Sequence, residues 1–191
     1  MATTPWHHGV TRYQWLGLFI AWPGWVFDAM DATIYAIVLH PALHDLLRPA
    51  GGALFGYLGF GPLADRFGRR AVFAFMFLGS LIMLPVTYLT PATYARVLML
   101  LPLLGFFKNG IFGGFPIYLP ELYPTRLRAT GSGFCFNAGR VLASASLFLT
   151  GRLVTALGSF GRAASTVALI YLAGLVVLLF APETRGKPLP E

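Results

Sequence analysis

Charge is what this 191-residue sequence has least of. Only 11% of its residues are Asp, Glu, Lys or Arg, against about 25% in a soluble domain. Hydrophobic residues make up 57%, and the mean hydropathy is +0.69. No single water-facing core of this length hides that much apolar surface, so a soluble domain is excluded. A disordered chain is excluded by the same numbers. Cysteine is almost missing as well. The single Cys135 rules out a disulfide framework and a cysteine-rich zinc site. There is no low-complexity segment and no hydrolase constellation, since Gly131-Ser132-Gly133 has no histidine placed in a neighbouring apolar stretch. His40 and His44, beside Asp45, have helical spacing, but Pro41 lies between them and no third strong ligand is evident. No cofactor and no metal is expected. The first dozen residues do not read as a signal peptide. The apolar stretch after them runs through Pro23 and Gly24 into two aspartates, without a small-residue cleavage site.

What is present suits lipid as the solvent. The chain holds 17 Phe, 8 Tyr, 22 Gly and 14 Pro, and Gly and Pro are commoner in membrane helices than in soluble ones. Six stretches approach the roughly 20 residues needed to cross a bilayer. They are Gln14 to His40, Pro49 to Ala64, Ala71 to Thr90, Val97 to Leu119, Ala129 to Gly151 and Ala163 to Pro182. The expected fold class is therefore all-α: a polytopic transmembrane helix bundle of about six spans, forming one membrane domain over residues 1–191. The net charge of +7 would suggest nucleic acid in a soluble domain. Here it reads as loop arginines facing a cytoplasm and anionic lipid, with the bilayer as partner and no nucleic acid. With the N-terminus inside, eight loop cations fall inside and four outside, which places both termini in the cytoplasm.

Four ionisable residues fall near span centres: Asp28 and Asp31 in the first, Lys108 in the fourth, Arg140 in the fifth. Each costs roughly 2.5–3.5 kcal/mol on insertion scales. The first span thus carries about 5–7 kcal/mol of penalty, against about 3–6 kcal/mol returned by its Leu, Ile, Val and Phe residues. Its acids should face protein or water. Asp28 and Asp31 are three apart and share a helix face, which Tyr35 continues. Two close carboxylates raise one another's proton affinity, as burial does. That is the chemistry of an acid that takes up and releases a proton as water access changes. The alternative is structural pairing of the two acids with Lys108 and Arg140, whose charges balance them. Lys108–Asn109 and Asn137–Arg140 carry the same two readings: neutralising the acids, or holding an anionic substrate in a polar cavity. Pro23-Gly24 can kink the first span one turn before Asp28. Gly52-xxx-Gly56 and Gly110-xxx-Gly114 permit close helix contact and read as packing.

Between the second and third spans the chain reads Gly61-Pro-Leu-Ala-Asp65-Arg66-Phe-Gly68-Arg69-Arg70. Gly61 and Gly68 are expected to let the backbone turn, Asp65 to cap or pair, and the three arginines to bind carboxylates, helix C-termini or lipid phosphate. The stretch resembles the signature loop of the major facilitator superfamily, G-x-L-A-D-R-x-G-R-R/K, at all defined positions. Two further stretches agree. Pro120-Glu121-Leu-Tyr-Pro124-Thr-Arg126-Leu-Arg128, followed by Asn137-Ala-Gly139-Arg140, is similar to the loop into the eleventh helix of sugar porters and metabolite–proton symporters. Pro182-Glu183-Thr-Arg-Gly186-Lys187 is similar to the ending of their twelfth helix. Asp28-Ala-Met-Asp31 resembles the acidic first helix of organic-acid–proton symporters, where such acids take part in proton coupling. The resemblance implies a proton-coupled transporter of a small organic acid or sugar, multi-pass in the plasma or inner membrane. It also implies a cytoplasmic gate latch of Gly61, Asp65, Arg66, Gly68, Arg69, Arg70, Glu121, Arg126, Arg128 and Glu183. Members of that superfamily have twelve helices in two pseudo-symmetric halves. Six correspond best to helix one joined to helices eight through twelve. Alternating access then calls for a homodimer. The other reading is a truncated membrane protein or interaction partner that transports nothing.

Overall fold

The computed structural model describes Arg12, Leu16, residues 47–90 and residues 93–191. Apart from Leu16, the expected span from Gln14 to His40, with Asp28, Asp31 and Tyr35, lies outside the described residues, as do His40 and His44.

Every described element is a helix, in the order α1 (Leu47–Phe67), α2 (Arg69–Leu89), α3 (Tyr94–Leu122), α4 (Arg128–Leu157), α5 (Phe160–Val167) and α6 (Ile170–Phe180). The molecule is all-α, with no strand among the described residues. These sequences form helices because their apolar residues run around the whole cylinder, and a helix satisfies its own backbone where water cannot. Pro62, Pro85, Pro102, Pro116 and Pro120 all sit inside helices, as membrane helices tolerate. Among the described residues, three helices are long and apolar enough to cross a membrane. They are α2, α3 and the continuous Phe160–Phe180, with hydropathies of 2.1, 1.5 and 2.4. At 1.5 Å per residue, the 29 residues of α3 reach about 43 Å, beyond the hydrocarbon layer on its own.

The elements begin before the stretches read from hydropathy, and α1, α3 and α4 also end after them. α1 continues through Asp65 and Arg66 to Phe67, so Gly61 is not a turn residue: it lies inside the helix with Ile117 Cδ1 at 3.6 Å from where a Cβ would be. The last stretch is divided. Leu169, Tyr171 and Leu172 donate to carbonyls three residues back, at Thr166, Ala168 and Leu169, which tightens one turn between α5 and α6.

The tightest crossing joins α1 to α3. A Cβ on Gly52 would strike the Pro102 backbone, and one on Gly56 would strike Phe106. From the other side, Gly113 meets the Tyr57 backbone and Gly114 the rings of Phe60 and Phe73. Both glycine pairs read from the sequence therefore pack helices, and Gly113 joins them. Around this contact sits an aromatic core. The Phe73 ring lies 4.7 Å from Phe60, 5.5 Å from Tyr118 and 5.8 Å from Phe115. Phe77 extends the stack to Tyr171 of α6 at 5.8 Å. One end of this core carries the α1–α2 turn, the end of α3 and the chain after α6.

Candidate functional site

A polar cluster closes that end. It forms because α1 cannot run straight into α2: Gly68 takes φ 98°, ψ 152°, a region almost closed to other residues. A Cβ there would also press on Glu183 Oε2 at 2.8 Å. The turn sets Asp65 and Arg69 one helical turn apart. Arg69 Nη1 donates to Asp65 Oδ1 at 2.6 Å, and its Nη2 and Nε donate to the two oxygens of Glu121 on α3, at 2.9 and 3.3 Å. Arg69 and Glu121 are 11% and 17% exposed, whereas Asp65 is 72% exposed. The paired fork onto Glu121 is thus the sheltered half of the arrangement. Thr184 Oγ1 also donates to Glu121, at 2.5 Å.

Glu183 makes no ion pair with an arginine side chain among the described residues. Its carboxylate instead accepts the backbone N–H groups of Arg69 (2.9 Å), Arg70 (3.1 Å), Thr184 (3.1 Å) and Arg185 (3.0 Å). Two of these are the first orphan donors of α2, so a residue 114 positions away caps that helix. Burial alone would push the Glu183 carboxyl up. The four N–H donors outweigh it and hold the carboxyl below its ordinary value.

Arg128 spans two other pieces, donating from Nε to the Pro120 carbonyl at 3.2 Å and from Nη2 to the Pro190 carbonyl at 3.0 Å. Thr125 N–H meets the same Pro190 carbonyl at 3.2 Å. Tyr118 donates to the Pro182 carbonyl at 2.8 Å. Arg70 Nη2 donates to the Leu179 carbonyl at 3.2 Å. Arg66 lies over the Phe67 ring at 5.5 Å. Arg126 is exposed and makes no hydrogen bond or ion pair among the described residues.

The expected substrate residues are spread over two helices. Lys108 is buried in α3 at 4% exposure. Asn109, half-buried, donates to the Gly105 carbonyl of its own helix at 3.0 Å. On α4, Asn137 and Arg140 are exposed, and Asn137 donates to the Gly133 carbonyl at 2.8 Å. Sequence reasoning missed Thr184, the Pro190 carbonyl and the Tyr118 hydroxyl as partners of the cluster. Thr184 follows Glu183 within a recognised stretch, and that adjacency was its only signal.

Residues 51–191 match the family of sugar (and other) transporters. A protein of Haemophilus influenzae named for metabolite transport is 36% identical over 139 residues, covering 72% of this chain and 34% of its own length. The cis,cis-muconate transport protein of Acinetobacter baylyi is 32% identical over 71% of this chain and 32% of its own. The 4-hydroxybenzoate transporter of Pseudomonas putida is 29% identical over 92% and 41%. The chain belongs to the sugar (and other) transporter family, a family of membrane transporters and not of enzymes. With three membrane-length helices among its described residues, it is a multi-pass membrane protein. It spans about a third of the length of the curated relatives it matches.

Proposed function

We propose that this chain forms part of a proton-coupled symporter of small organic acids, and that the cluster around Arg69 latches its cytoplasmic gate. The observation that carries this is the convergence on one guanidinium. Arg69 ties Asp65 of α1 to Glu121 of α3, while its own N–H is held by Glu183 beyond α6. Moving α3 and the chain after α6 away from α2 breaks the Glu121 and Glu183 bonds together, which would give the cluster a made and an unmade state. Asp28 and Asp31 are the proton-coupling acids of this reading. Tyr35, Lys108, Asn109, Asn137 and Arg140 are its substrate residues. Muconate, 4-hydroxybenzoate and niacin, after which three relatives are named, are all small carboxylates. That favours an organic acid over a sugar, and a cation such as Lys108 suits it. The membrane is the plasma or inner membrane, with both termini cytoplasmic. A homodimer brings twelve helices together.

The test is uptake of 4-hydroxybenzoate into proteoliposomes carrying an inward proton gradient. We expect uptake that collapses when the gradient is dissipated and is lost in Asp28→Asn or Asp31→Asn. A second reading is a membrane protein or interaction partner that carries nothing. That reading predicts no uptake across a panel of carboxylates, with both variants neutral or stabilising. Uptake indifferent to the gradient would instead mark a pore.

A further inference from the structure

We propose that the groove between α2 and α6 is a binding site for an anionic phospholipid, with one acyl chain along the groove and the phosphodiester on Arg70. The groove has a volume of about 640 Å³ and is open along one side. Its walls are Ala71 and Ala74 of α2 and Leu175, Val176 and Leu179 of α6. Ala71 and Ala74 make it, since larger side chains there would fill the space. Both walls belong to membrane-length helices, so an apolar occupant is at hand throughout the bilayer. Val176 and Leu179 are 55% and 70% exposed and face that occupant.

Charge at the mouth selects the headgroup. Arg70 stands at one end of the groove beside Glu183. The carboxylate of Glu183 is already occupied by four backbone N–H groups. The guanidinium of Arg70 donates to a single carbonyl, that of Leu179. It has no carboxylate among the described residues. A half-buried guanidinium with donors to spare beside an apolar channel fits a phosphate over an acyl chain. Arg66, Arg185 and Lys187 follow closely in sequence on the two flanking segments and add positive charge there. This site does not depend on whether the chain transports anything.

The experiment is native mass spectrometry of the full chain released from mild detergent, titrated with phosphatidylglycerol or phosphatidylcholine. It is paired with photo-crosslinking by a phosphatidylglycerol bearing a diazirine on its acyl chain. One tight phosphatidylglycerol adduct is expected, with crosslinks on Ala71–Ala74 or Leu175–Leu179. Arg70→Gln is expected to weaken it about tenfold or more, and Arg70→Lys to keep most of it. Ala74→Leu, which leaves every hydrogen bond of Arg70 in place, should remove the crosslink by filling the groove. Equal retention of both lipids, adducts unchanged in Arg70→Gln and Ala74→Leu, or full competition by glycerol phosphate would each overturn the proposal. So would a dimer dissolved by Ala74→Leu with lipid binding intact, since a second copy would then be the occupant.

Discussion

Arg69 meets two carboxylates, and exposure decides which one matters more. Asp65 is 72% exposed, and an ion pair so open to water contributes about 0–1 kcal/mol. Glu121 is 17% exposed and takes two donors from the same guanidinium, so hydrogen bonds to charged groups of about 1.5–3 kcal/mol are the better guide there. Thermal unfolding in detergent should therefore rank Glu121→Gln as more damaging than Asp65→Asn. A double-mutant cycle should give a larger coupling for Arg69 with Glu121 than for Arg69 with Asp65. Equal couplings would mean that the exposed pair has as much weight as the sheltered one. Glu183 adds a pH dependence of known sign. Its folded carboxyl sits below its ordinary value, so its contribution is present above the unfolded carboxylate value of about 4.3. It fades as pH falls through the lower, folded value. The stability of Glu183→Gln relative to the native chain should thus be poorest near neutrality, and the gap should narrow in acid. A gap constant with pH would remove the carboxylate's charge from the account.

Among the elements, the α1–α3 crossing was written in the sequence as glycines, but only in part. Gly52 and Gly56 have the spacing of a close contact, and the structure seats them on Pro102 and Phe106. Gly113 stands between two glycines of a noticed pair, and nothing in its spacing separates it from them. Gly61 looked like a turn residue because it opens a recognised loop, yet α1 carries straight through it. The turn belongs to Gly68 alone, whose positive φ no spacing rule reveals. The tightened turn between α5 and α6 had no signal either, since the apolar run from Ala163 continues through it without glycine or proline until Gly174. Gly56→Ala should cost about 1–3 kcal/mol, as overpacking does. Gly59→Ala, on the same helix with open space at its Cβ, should be neutral or stabilising by up to about 1 kcal/mol. Denaturant-induced unfolding of the two variants side by side would measure this. A similar loss in both would point to helix flexibility and away from the crossing.

For the whole molecule, composition settled the solvent, and the loop at Gly61–Arg70 led to the family. The connections that close the cluster were less legible. Glu121, Glu183 and Pro190 come together across long stretches of chain, and nothing periodic in a sequence encodes such pairings. Their assembly leaves a large apolar surface facing outward, from Leu54, Phe55 and Leu58 on α1 to Val141, Phe148 and Leu149 on α4. Lipid can cover that surface in a monomer, or helices of a second copy can cover part of it. Under the homodimer proposed above, the second arrangement brings together the two halves that alternating access uses. Native mass spectrometry from nanodiscs should therefore find a species near twice the chain's 20.8 kDa. The same dimer should be the fraction that takes up 4-hydroxybenzoate. A monomer alone would leave the Arg69 cluster as a clamp that stabilises the bundle, and would move the chain to the non-transporting reading.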